Sequence, residues 1–89
     1  MREVVIALAH RTAIGKGNRG SFAQTRPDTL GAAVLKGLLE KVPDMDPALI
    51  GDVIMGCAMP EGAQGMNVGR NIALMAGLPD TVPGMTVNR

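Results

Sequence analysis

Eighty-nine residues with nine Lys or Arg and eight Asp or Glu, a net charge of +1, make one small domain at most and offer no basic stripe for nucleic acid. Aromatic residues are 1% of the chain, Phe22 alone, yet 46% of residues are hydrophobic: too many for a disordered tail, too few rings for an ordinary core. No apolar run approaches the roughly 20 residues of a membrane span, and the single cysteine, Cys57, excludes an internal disulfide and a multi-cysteine zinc site.

Met1 to Ile6 run straight into a strand-like stretch with no cleavage-site pattern, so they do not read as a signal peptide, and the expected compartment is a reducing cytoplasm. Residues 4–9 form a continuous apolar run, the pattern of a strand buried on both faces of a parallel sheet. From His10 to Pro27 the chain is polar and glycine-rich without a clear period. A connection of that length in a compact domain tends to be functional or covered by a partner. A helix is predicted over residues 28–42, with Asp28 as N-cap, Leu30, Ala33, Val34, Gly37, Leu38 and Val42 at helical spacing, and Pro43 as the stop. Leu35 and Leu39 widen its apolar stripe and predict burial on more than one side. Asp46-Pro47 opens one short turn ended by Gly51.

Residues 53–58 read as a second buried strand, followed by a tight glycine-rich loop from Pro60 to Met66. Asn67 caps a second helix over residues 67–76, in which Val68, Ile72 and Met75 share a face, and Gly77 with Pro79 ends it. A third strand is predicted over residues 84–88. Strands separated by helices cannot form hairpins, so the order β-α-β-α-β predicts parallel pairing through crossovers. The expected fold class is α/β, the incomplete start of a layered fold with a parallel or mixed sheet and helices on both faces, whose last strand would carry a free edge.

Four features invite chemical readings. Residues 15–20 spell G-x-G-x-x-G with Lys16 and Arg19 inside it. A dinucleotide fingerprint must follow its strand at once and open a helix, and here Pro27 delays the helix, so a basic loop is the better reading. Cys57 lies in an apolar run with Met55 and Met59 as same-face neighbours, which favours a core thiol over a nucleophile. His10 is the one histidine and stands at the exit of the first strand, where it reads as a local hydrogen-bonding residue. The loop from Glu61 to Asn67 follows the carboxyl end of a strand, the side on which open α/β sheets bind ligands. Gln64 and Asn67 could line a site there, or Asn67 could simply cap the helix while Gly62 and Gly65 turn the chain; the sequence leaves both open.

Several stretches together resemble the thiolase family. Arg11-Thr12-Ala13-Ile14-Gly15 is similar to its Arg-Thr-Pro-Ile-Gly signature, with Ala13 in place of the proline. Residues 52–58 resemble its second strand, 64–73 its loop-and-helix segment, Gly77-Leu78-Pro79 the helix exit, and 82–89 the strand that leads to a Cys-x-Ser-Gly motif. The Thr86-Val87-Asn88-Arg89 ending leans toward the degradative 3-ketoacyl-CoA thiolases.

The resemblance implies an acyltransferase that cleaves 3-ketoacyl-CoA with CoA, or runs the reverse Claisen condensation, through an acyl-cysteine. In the family a histidine activates that cysteine and a second cysteine moves the α-carbon proton. The nucleophile is expected just after Arg89, so no catalytic residue is expected in this chain, and no metal or cofactor beyond the CoA substrates. Gln64, Met66 and Asn67 are expected at the rim of the active site, and Thr86, Val87 and Asn88 at the interface of a homodimer or tetramer. The chain would pack against the remainder of a thiolase subunit, with neither nucleic acid nor membrane as partner. Two other readings stand beside this one: a ketoacyl-synthase-type condensing enzyme, which shares the fold, and a free-standing interaction module.

Overall fold

A computed structural model describes residues 1–89. In chain order the elements are helix α1 (Pro27–Glu40), strand β1 (Val53–Gly56), helix α2 (Val68–Met75) and strand β2 (Gly84–Val87). Short 3₁₀ turns lie at Pro47–Leu49 and Gly62–Gln64. The two strands pair in parallel, Val53 opposite Gly84 and Gly56 opposite Val87, and form a two-stranded sheet. The architecture is therefore a partial α/β fold.

Residues 4–9 make no ladder and stand exposed, Val4 at 95% and Ile6 at 91%. The apolar run encodes burial, but a strand exists only when a neighbour supplies the other half of its hydrogen bonds. None of the four elements does so. The expected three-stranded sheet is reduced to two strands.

Helix α1 opens at Pro27 and not at Asp28. A proline suits the first helical position, because its missing N–H would have no intrahelical partner there. Arg26 takes the cap position without capping the helix through its side chain, and Asp28, inside the first turn, accepts from the Thr29 amide at 2.9 Å. The helix ends at Glu40, short of the expected residue 42. Lys41 and Val42 donate instead to carbonyls three residues back, Leu38 and Leu39, which tightens the last turn. Pro43 disfavours helical geometry at Val42.

Helix α2 has caps at both ends. Asn67 accepts from the Arg70 amide at its start. At its end Gly77, with φ of 85°, donates to Leu74 O and Leu78 donates to Ala73 O, the paired bonds of a Schellman motif. The motif turns Leu78 back into the core beside Ala73, Val53 and Val82, with Leu35, Leu39 and Ile50 packed against them. The buried face of α2 carries Val68, Gly69, Ile72 and Ala73. Met75, expected to share it, is exposed. The small Gly69 and Ala73 draw the helix down on their own side and leave Met75 at the margin.

Strand β1 stops at Gly56, before the expected residue 58, because β2 ends opposite it at Val87. One more bond, Cys57 N to Val87 O at 2.9 Å, continues the ladder, and the Asn88 side-chain amide then reaches Ala58 O at 3.2 Å. Helix α2 packs on both strands and α1 packs on α2. On the other face Ile54, its register partner Met85, and Val87 are exposed, so the second helical layer expected there is absent from these residues.

Size follows from this openness. The radius of gyration is 14.0 Å, against about 12 Å for a compact domain of this length. The surface of 6947 Å² exceeds by about 2,000 Å² what a folded monomer of this mass exposes. Ten of the 89 residues are buried.

Candidate functional site

A set of side-chain hydrogen bonds ties the loop 57–67, which climbs from β1 to α2, and the first turn of α2 to strand β2 and the loop before it. Gln64 Nε2 donates to Met59 O at 2.9 Å, closing the loop on itself. Met66 and Asn67 are consecutive non-glycine residues in the left-handed region, with φ of 54° and 56°. Asparagine tolerates that region through local hydrogen bonds, whereas a methionine there costs about 1–2 kcal/mol. The Met66 side chain is 94% exposed, and its carbonyl is held by Asn71 Nδ2 at 3.2 Å.

The Asn67 amide explains why the kink persists. Its Oδ1 accepts from the Arg70 amide at 3.3 Å and from Thr86 Oγ1 at 2.8 Å. Its Nδ2 donates to Gly84 O at 2.9 Å. Thr86 Oγ1 in turn accepts from the Gly69 amide at 3.0 Å, so one hydroxyl both donates and accepts. Two glycines allow the approach. A Cβ on Gly69 would lie 2.2 Å from Met85 O, and one on Gly84 would lie 2.7 Å from the Arg70 Cα. Main chain meets main chain where α2 starts and β2 runs beneath it.

Arg70 secures the return loop. Its guanidinium donates to Asp80 O at 3.0 Å and to Val82 O. No carboxylate pairs with it; the segment's one ion pair is Arg26 with Asp28, at 3.0 Å. That pair is two-pronged, Nε to Oδ1 and Nη2 to Oδ2. The side-chain hydrogen bond from Arg26 holds the Asp28 carboxyl below the usual carboxylate range, and the same contact raises the Arg26 guanidinium. No buried side-chain polar atom lacks a partner.

A cleft of about 240 Å³ lies between α1 and the end of β1, lined by Thr12, Leu30, Val34, Cys57, Gln64 and Val68 among others. Its walls are mainly aliphatic, and Cys57 is half-buried in it with its thiol free. A second groove, about 370 Å³, runs between α1 and β1, with Leu35, Leu38, Ile50, Val53 and Ile54 on its walls. No three His, Cys, Asp or Glu side chains come together as a metal site would need. No helix is long and apolar enough to cross a membrane. The G-x-G-x-x-G stretch forms turns well before α1, and Gly20 is required there because a Cβ would lie 2.3 Å from Lys16 O.

A family profile described as thiolase, N-terminal domain, matches residues 4–89. The chain belongs to the thiolase family. It is 49% identical over all 89 residues to a 3-ketoacyl-CoA thiolase of Bacillus subtilis, and covers 22% of that protein. It is 50% identical over 88 residues, 99% of its length, to a 3-ketoacyl-CoA thiolase of Saccharophagus degradans, again 22% of the relative. With a 3-ketoacyl-CoA thiolase of Idiomarina loihiensis it shares 45% identity over 89 residues, the whole chain and 23% of the relative. The chain thus spans less than a quarter of the length of these thiolases.

Within this thiolase segment, Gln64, Met66 and Asn67 lie together on the loop that leads into α2, and Thr86, Val87 and Asn88 lie on and just beyond β2. Asn67 and Thr86 are directly bonded, so the two groups that the sequence treats separately form one network. Gly69 and Arg70 belong to it as well. Gly69 carried a signal that sequence reading missed: a glycine in the first turn of a helix, where its flexibility is a cost unless another backbone must come close.

Proposed function

We propose that the protein carrying this segment is a 3-ketoacyl-CoA thiolase. The observation that carries the reading is identity of 49% over the full 89 residues to a protein of that name. The reaction would transfer an acyl group from a 3-ketoacyl-CoA to a cysteine thiolate. The thiolate attacks the 3-keto carbon, the C2–C3 bond breaks, and the departing enolate of acetyl-CoA takes up a proton. CoA thiolate then displaces the cysteine and leaves as the shortened acyl-CoA. A covalent intermediate divides one difficult step into two easier ones. The nucleophile, its histidine and the proton-transferring cysteine come from outside these residues. The segment contributes scaffold and the rim at Gln64, Met66 and Asn67. The reaction needs no cofactor besides its CoA substrates, and the compartment consistent with the reading is the cytoplasm.

The architecture belongs to the same proposal. Residues 4–9 would form the missing strand beside β1, and the apolar groove along that edge, lined by Leu35, Leu38 and Ile54, supports this placement. The exposed face of Ile54, Met85 and Val87 would receive further helices of the subunit. The free edge of β2 would pair with its twofold mate through residues 86–88 in a homodimer or a tetramer built from such dimers. In the complete protein the amides of residues 4–9 should then be protected from hydrogen exchange; exchange at free-peptide rates would remove the strand.

The function is tested with the complete protein, CoA and a 3-ketoacyl-CoA, by following acetyl-CoA and the acyl-CoA two carbons shorter. Absence of CoA-dependent cleavage rejects the reading. Gln64→Ala in the same assay should alter turnover or acyl-chain preference, and unchanged kinetics would take Gln64 off the rim.

A further inference from the structure

We propose that Thr86 is a positioning residue of this enzyme: its hydroxyl locks the rim loop at Asn67 to strand β2 and so fixes the direction in which the chain leaves that strand. The inference rests on the thiolase reading, in which the acyl-accepting cysteine follows β2. The lock itself rests on geometry. Thr86 Oγ1 takes the Gly69 amide at 3.0 Å and gives its proton to Asn67 Oδ1 at 2.8 Å, so both hydrogen-bonding capacities are directed. Asn67 spans back to the same strand at Gly84 O, 2.9 Å away. The three bonds close a ring through the first turn of α2, the left-handed corner and β2.

Neighbouring side chains on β2 do not share this work. Met85 and Val87 point to the opposite, exposed face. Thr86 is the only hydroxyl on the strand. Without it the Asn67 oxygen and the Gly69 amide each lose a partner, and at the part-buried Gly69 amide an unmade bond costs more than a made one contributes. The left-handed backbone of Met66 and Asn67 would then have less to hold it in place. A small shift between loop and strand displaces whatever β2 delivers relative to the rim. Gln64, which bonds Met59 O outside this ring, keeps its place on the rim, while alignment for bond formation is lost, so turnover falls and KM changes little.

The test uses the complete protein with Thr86→Val, which keeps the shape and removes the hydroxyl, and Thr86→Ser, which keeps the hydroxyl. Thr86→Val should lower kcat by roughly tenfold to a hundredfold with KM nearly constant. It should also shift the pH dependence of thiol alkylation and speed hydrogen exchange in the peptide containing Gly69. Thr86→Ser should restore all three. Asn67→Gly, which accepts the left-handed backbone without strain but lacks the amide, should reproduce the fall in kcat should the valine variant not fold. Wild-type turnover in Thr86→Val or Asn67→Gly overturns the proposal, as does a serine variant no better than the valine one. If the unaltered protein cleaves no 3-ketoacyl-CoA, the thiolase reading fails and the positioning role falls with it. Hydrogen exchange then judges the lock alone, and unchanged exchange at Gly69 overturns that too.

Discussion

Gly69→Ala is the sharpest structural perturbation available in this segment. A Cβ at that position would lie 2.2 Å from Met85 O and 2.8 Å from the carbonyl carbon behind it. Ordinary contact begins near 3.4 Å, so α2 must lift from β2 by about 1 Å, and the obstacle is backbone that cannot rotate away. The same movement stretches the 3.0 Å bond from the Gly69 amide to Thr86 beyond useful range. Over-packing of this sort costs about 1–3 kcal/mol, and the stranded amide adds about 1–3 kcal/mol. Alanine's better helix propensity returns about 1 kcal/mol, leaving a net loss of roughly 1–5 kcal/mol. Unfolding of the complete protein by urea, followed by circular dichroism, measures it. Gly17→Ala is the control, since nothing lies within 4 Å of its Cβ position. A Gly69→Ala protein within about 0.5 kcal/mol of the parent, the range of an ordinary surface substitution, would refute the reasoning.

Three further predictions concern other parts of the chain. The Asp28 carboxyl is held below its ordinary range chiefly by the Arg26 hydrogen bond, so its contribution is full above about pH 4 and is lost as pH falls through the depressed value. Asp28→Asn should therefore lower the melting temperature at neutral pH, with the gap to the parent closing in acid; a gap independent of pH would reject the ion pair as its cause. Cys57→Ser should leave thiolysis within about threefold of the parent, as for a half-buried thiol that performs no chemistry, and a loss of the size that follows removal of a nucleophile would overturn that role. Residues 1–89 produced alone should bind a hydrophobic dye and melt without cooperativity, given the exposed apolar faces, whereas a cooperative transition of a monomer would favour a free-standing module.

The elements whose information is local were legible in the sequence. Asn67 before an apolar helical stripe, and Gly77 with Pro79 after it, announced α2 at both ends, because caps are made by residues a few positions apart. The Pro27 start of α1 was equally available, but Asp28 drew the cap reading away from it. What escaped were relations across distance. Thr86 and Asn67 are 19 positions apart and Asn88 and Ala58 are 30 apart, and no periodicity encodes such pairs. The apolar run at 4–9 reads as a buried strand, yet these residues stand exposed and unpaired, because pairing is a property of the partner strand and not of the run itself. The loop 61–67 was left undecided between cap and site. Asn67 caps α2 and also joins the network to β2, so structural duty at that residue is firm whatever substrate lies beyond it.

Arg70 has a consequence for how this segment answers to ionic strength. Its positive charge rests on the Asp80 and Val82 carbonyls, and attraction to such short-range dipoles is little weakened by added salt. The chain carries seventeen acidic or basic side chains, nine Lys or Arg and eight Asp or Glu, but pairs two of them, Arg26 with Asp28. Brine strong enough to erase surface ion pairs would thus loosen one contact at the head of α1 and leave the return loop and the start of β2 as they are. Salt sensitivity in the complete protein would then come mainly from charges this segment presents to its surroundings, which makes a salt titration a probe of what the segment packs against more than of this fold.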